Sequence, residues 1–186
     1  MRFYFLVIIF LSTTARAELL LDTKYIYYSV SSSSKHGLLD KLNTATPIKQ
    51  GGDNFHGRTD SKISWYFWWK STSNKCQINK VKVNLEIIFT MPELENSTNE
   101  VREVWKRWYP KLLQHEKGHE RNALNIAKKI EKGISQLPVY YNCKMLENAA
   151  NKLGDDLLDK LHQMDKDYDS LTNHGETEGA CLSSHL

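Results

Sequence analysis

The sequence lacks a surplus of charge, a closely spaced cysteine pair, an internal repeat and a second long apolar run. Each absence removes a class of function. Lys and Arg number 25 against 22 Asp and Glu, so net charge gives no electrostatic reason to expect a nucleic-acid partner. The three cysteines, Cys76, Cys143 and Cys181, are far apart, which leaves no spacing for a thiolate zinc site. The longest apolar run, Phe3 to Leu11, has nine residues, whereas a membrane span needs roughly 20. No other run is longer, so no membrane span is expected in the mature chain.

That short run has a different meaning. Arg2 precedes it, and Ala15-Arg16-Ala17 follows with small residues at the two positions a signal peptidase reads. This is the layout of a cleavable secretory signal over residues 1–17. With no cysteine at the cut, no lipid anchor is implied. Export to the periplasm or beyond is expected, leaving 23 basic against 22 acidic residues. Oxidising surroundings then predict one disulfide. Cys76 and Cys143 both sit beside regular elements, so Cys76–Cys143 is the favoured pair with Cys181 left over; the other pairings stay open.

What remains, residues 18–186, is enough for a single domain, and 40% hydrophobic residues suffice for one core. Tyr25 to Val30 reads as a strand and Lys35 to Leu42 as a short helix. Thr44 to Arg58, with its Gly and Pro, reads as loop. A hairpin follows: one strand around Ile63 to Trp69, a polar turn at Ser71 to Lys75, and a second strand from Ile78 to Pro92. The Trp-rich strand reads as sheet core, with one face free to line a groove. Ser97 and Glu100 have the spacing of a capping box. From there Val101, Val104, Trp108, Leu112, Ala123, Ile126 and Ile130 mark one helical face. Pro110 predicts a kink or a restart. A second helix is predicted from about Cys143 to Tyr168, and the small polar tail after Gly175 is expected to be flexible from about residue 176. The expected class is α+β, two long helices packed on one side of a small antiparallel sheet.

The chemistry lies in His115-Glu116-Lys117-Gly118-His119. Histidines four apart on a helix share a face, so both imidazoles can converge on one zinc ion. Both also fall on the inward stripe, where unpaired imidazoles are costly. Glu116 is placed to act as base toward a water that zinc makes more acidic. A catalytic zinc takes a third protein ligand. His174, in the loop after the second helix, is the first choice. Asp169 is the second, as ligand or as the acceptor that orients an imidazole. Glu147 is a rival of the thermolysin-like kind. Tyr168 is read either as a donor to the oxyanion of a tetrahedral intermediate or as the last core residue of its stripe.

The zinc motif, Ala123 after it, and Tyr168-Asp169-Ser170-Leu171-Thr172-Asn173-His174-Gly175 with Gly179-Ala180 beyond resemble a set of predicted secreted, zinc-dependent bacterial proteases catalogued as a domain of unknown function. Tyr25, the Trp-rich strand and Cys76 before a β run fit the same set. The resemblance implies export and hydrolase chemistry, and adds weight to His174 and Asp169. Glu178 stands where Gln is common in that set. The expected function is an exported zinc metallopeptidase acting on a protein or peptide. An amidase acting on peptidoglycan amides is one alternative, and a non-catalytic metal- or partner-binding module the other.

Overall fold

The computed structural model describes residues 15–186. Most of the predicted signal, residues 1–14, lies outside the described residues. Arg16 and Ala17 open strand β1 (Arg16–Ser31), which leads through helix α1 (Lys35–Ala45) into β2 (Ile48–Gln50) and β3 (Asp53–Phe55). Strands β4 (Arg58–Thr72) and β5 (Lys75–Glu95) then precede helices α2 (Asn99–Ser135) and α3 (Cys143–Thr172). Two short 3-10 turns, Glu176–Glu178 and Leu182–His185, close the chain.

The α+β class holds, and the hairpin of β4 and β5 is antiparallel. The sheet as a whole is mixed, because β1 runs parallel to β5 along its full length in the order β1-β5-β4. An N-terminal strand reached by crossover cannot be paired from local pattern, which shows only that a strand exists. In β5, Val81, Val83, Leu85, Ile87, Phe89 and Met91 are all buried. This alternation of two sets the face on which α2 lies. Pro92 does not end β5. It lies beyond the last pairing with β4, at Arg58–Thr90, so its missing amide hydrogen costs no ladder bond on that side.

Helix α2 is continuous through Pro110. Buried Trp108 and Leu112 pin the helix to the core on both sides of the proline, which outweighs one lost backbone bond. Its N-cap is Thr98, whose side chain accepts from the Val101 amide, one residue later than the capping box predicts. The loop at Thr44–Arg58 holds the small hairpin β2–β3, turned by Gly51 and Gly52 at φ +64° and +96°, a region glycine enters without steric cost. The tail is also packed: Ala180 and Leu182 are buried, and the Trp108 indole donates to the Ala180 carbonyl at 2.7 Å.

Cys76 and Cys143 form a disulfide, and Cys76 exchanges two backbone hydrogen bonds with Tyr140. The start of β5 is thus tied to the connection between α2 and α3. Trp65 packs on α3 so closely that a Cβ at Gly154 would lie 2.3 Å from its ring. Tyr66, Trp68 and Trp69 remain exposed. Among the described residues no helix is long and apolar enough to cross a membrane.

Candidate metal centre

His115 and His119 sit one turn apart on α2, as their spacing requires. Helix α3 supplies the opposite wall. It does not end at Tyr168 but runs to Thr172, with Asn173 as a left-handed cap. Asp165 and Asp169 therefore lie one turn apart on α3, facing the two imidazoles. Nε2 of His115 and Nε2 of His119 approach one atom, Asp169 Oδ1, at 3.4 and 3.1 Å. Among the described residues these three form the one group whose ligand atoms lie mutually within 4.8 Å.

The far nitrogens are also held. His115 Nδ1 donates to Glu178 Oε2 at 3.0 Å, and His119 Nδ1 to Asp165 Oδ1 at 3.1 Å. Asn122 donates to the same Asp165 oxygen at 2.9 Å. Each ring is thereby fixed so that Nε2 faces its neighbour and Asp169, the arrangement by which carboxylates set a ligating imidazole.

Tyr168 completes the packing. Its ring stacks on His115 with centroids 5.0 Å apart and meets His119 edge-on. Its hydroxyl donates to Glu178 at 2.9 Å. Burial and the Glu178 charge push its pKa up. A Cβ at Gly118 would lie 2.2 Å from this ring, so the glycine inside the His motif is what lets α3 approach α2 here.

Glu116 is only 4% exposed. Thr59, at the start of β4, donates to its Oε2 at 2.7 Å. A Cβ at Gly57 would stand 2.6 Å from its Oε1. Burial raises its pKa, with the Thr59 hydrogen bond and the two imidazoles acting the other way. A carboxylate raised toward neutrality is suited to proton transfer. Just before Gly57, half-buried His56 is held neutral, its pKa lowered to about 4 by desolvation. It pairs with Asn43 and contacts Trp108.

Do these residues fit a metal? Two ligand atoms at about 2.0–2.1 Å from a tetrahedral zinc lie about 3.3–3.4 Å from each other. The observed 3.1 and 3.4 Å from the imidazoles to Asp169 match that spacing. The charge balance agrees. Burial disfavours a charged His119, yet Asp165 and Asp169 overcome it and raise its pKa to about 10. His115 is raised in the same way by Asp169 and Glu178 against its burial. A pocket that favours protons on both rings is short of positive charge, and a divalent cation would replace them.

His174 stands outside this trio. Its side chain is 57% exposed, with Nδ1 4.0 Å from Asp169 Oδ2, and its ring meets Phe55 edge-on. Glu147 pairs with Lys144 in the first turn of α3, 22 residues before Asp169 and so about 33 Å away along the helix.

Residues 25–175 match the profile of bacterial proteins of unknown function called DUF922. The chain belongs to this family. The matched segment contains His115, Glu116, His119, Asp165, Asp169 and His174, and stops short of Glu178. No curated protein and no solved structure matches the chain. The family name carries no activity, so function has to be argued from the site.

Asp165 and Glu178 are the parts that sequence reading leaves without a role. For Asp165 a signal exists: two aspartates four apart, mirroring two histidines four apart. It becomes visible only when the helix is carried past Tyr168. Glu178 is marked in the sequence only as standing where Gln is common, with no role attached, and Thr59 arrives from a distant strand and leaves no local trace.

Proposed function

We propose that this protein is a zinc-dependent hydrolase, with peptide bonds as its substrate class, in which His115, His119 and Asp169 hold the metal. One observation carries the reading. Two imidazoles and a carboxylate converge beside a buried glutamate, and both imidazoles are oriented by further carboxylates. A purely structural zinc usually takes four protein ligands and has no use for a base. When bound, zinc supplies a Lewis acid that makes water more acidic and polarises a carbonyl.

The chain's own residues do the rest. Glu116 takes the proton from the attacking water and passes it to the leaving amine nitrogen. Thr59 holds Glu116 Oε2, so the carboxylate keeps one orientation through the transfer. Asp165 and Glu178 keep the imidazoles in place. Tyr168 acts through Glu178 and His115, because its hydroxyl already donates to Glu178. Export through the N-terminal signal belongs to the same proposal.

Glu116→Gln is the direct test. The variant should bind zinc with wild-type stoichiometry. Its turnover of a denatured protein should fall roughly 100- to 10,000-fold, the range general-base catalysis contributes. Undiminished turnover would remove Glu116 from the mechanism. Digesting purified cell wall in parallel separates a peptidase from an envelope amidase, since the chemistry of the centre is common to both.

A further inference from the structure

The hairpin of β4 and β5 has a charge distribution that the net charge conceals. From Ser61 to Leu85 the chain contains five lysines and no Asp or Glu. None of Lys62, Lys70, Lys75, Lys80 and Lys82 has an ion-pair partner within 4.0 Å among the described residues. Glu86, the acid nearest in register to Lys62, is already bound by Lys24 at 2.6 Å.

The register collects these cations on one face. Ile63, Trp65 and Phe67 pair with Leu85, Val83 and Val81 and point toward the helices. The alternate positions Lys62, Tyr66, Trp68 and Lys70 therefore point away, across from Glu86, Lys82, Lys80 and Gln77. Tyr66 is 54% and Trp68 46% exposed, and the Lys80 ammonium lies 5.1 Å from the Trp68 ring centroid. Two amphipathic aromatic rings stand on this face among these lysines, and among the described residues no element packs over them.

We infer that this outer face docks on an anionic lipid bilayer. The charge balance favours a negative surface: Glu18 of β1 lies across from Lys82 and Glu86 across from Lys62, but Glu86 is taken by Lys24 and the five hairpin lysines remain in excess. Tyr and Trp rings sit well at the headgroup level, apolar body inward and polar edge outward. Lysine stems reach along such a surface while their ammonium groups stay hydrated. The chemistry spreads over a broad face of two paired strands, which suits a planar partner. Helices α2 and α3 lie on the opposite side of the sheet, so docking leaves the residues around His115 open. The inference is independent of the metal reading.

Co-sedimentation with vesicles tests it, using the purified chain after its N-terminus has been mapped by mass spectrometry. The wild type should bind vesicles of phosphatidylcholine with 40% phosphatidylglycerol, and lose that binding with phosphatidylcholine alone or at high salt. Trp68→Ala should weaken partitioning about tenfold. Because Lys62 and Lys70 are exposed, Lys62→Gln with Lys70→Gln should keep the fold intact and weaken partitioning about fivefold per lysine. Equal binding to neutral vesicles, absence of binding to either kind, or variants that bind like the wild type would each overturn the proposal. Retention by an anionic polysaccharide without binding to vesicles would overturn it too.

Discussion

Helices α2 and α3 lie side by side, and different chemistry holds the two ends of α3: β5 at its start and α2 at its finish. Near the connection, Cys76 and Cys143 are bonded covalently and Cys76 shares two backbone hydrogen bonds with Tyr140. At the far end of α3, imidazoles meet carboxylates at 3.0 to 3.4 Å. The first joint is indifferent to pH and ligands. The second is built of titratable groups, so it responds to protonation and, on the proposed reading, to a bound cation. A fold that is fastened at one end can hold a concentration of negative charge at the other, where four carboxylates surround two imidazoles.

The largest effect should come from removing the carboxylate that both rings face. Asp169→Ala should lose measurable zinc, a reduction beyond the roughly 100-fold that outer orienting groups produce. His174→Ala should keep its zinc, because that ring is exposed and lies 4.0 Å from the far oxygen of Asp169. Metal content by mass spectrometry after dialysis separates the two. Loss of metal from the His174 variant and not the Asp169 variant would move the third ligand to the loop after α3.

The opposite joint should respond in stability and leave affinity alone. Cys76→Ser removes a crosslink across 67 residues of chain. Loop-closure entropy puts the destabilisation at about 4 kcal/mol. The folded fraction should still bind zinc with near wild-type affinity, as the centre lies at the other end of α3. Denaturant unfolding alongside zinc titration checks both halves. A variant that loses affinity as well would mean that the two ends are coupled.

The same contrast explains what could be read from the sequence. The fastened end was legible, since cysteines beside regular elements are visible in one dimension and the disulfide forms as expected. The helix carrying His115 and His119 was legible because an unbroken apolar stripe runs on either side of the motif. The end of α3 was not. Its stripe of Leu157, Leu161, Met164 and Tyr168 continues to position 172, where the buried residue is a threonine. Thr172 stays in the helix by donating to the Tyr168 carbonyl at 2.8 Å. Asp169 and Ser170, weak helix formers, follow the expected helix end at Tyr168, yet α3 runs on to Thr172 and Asp169 joins Asp165 in facing the imidazoles. That extra helical turn places Asp169 against both rings and leaves His174 outside. The packing of the tail has no signal for a related reason: Ala180 and Leu182 are buried and Ala180 accepts from Trp108, an arrangement that no periodicity records.

The finest comparison lies within the centre, between the group that would touch the metal and the groups that only aim the rings. Asp165→Asn and Glu178→Gln keep the shape of each side chain and remove its charge. An amide oxygen can still accept from Nδ1, so the ring need not turn. What is lost is the negative charge that makes the opposite nitrogen a better donor. Each variant should weaken zinc about 10- to 100-fold, the usual range for such partners, and less than Asp169→Ala. The two should also differ from each other. Glu178 binds the Tyr168 hydroxyl as well as His115, whereas Asp165 shares its oxygen with Asn122. Glu178→Gln should therefore also perturb the Tyr168 ring, visible as a change in tyrosine absorption or ring resonances, and Asp165→Asn should not. Competition with a chromophoric chelator measures the affinities. If both substitutions leave zinc affinity unchanged, the carboxylates only fill space around the rings, and the orienting role assigned to them fails.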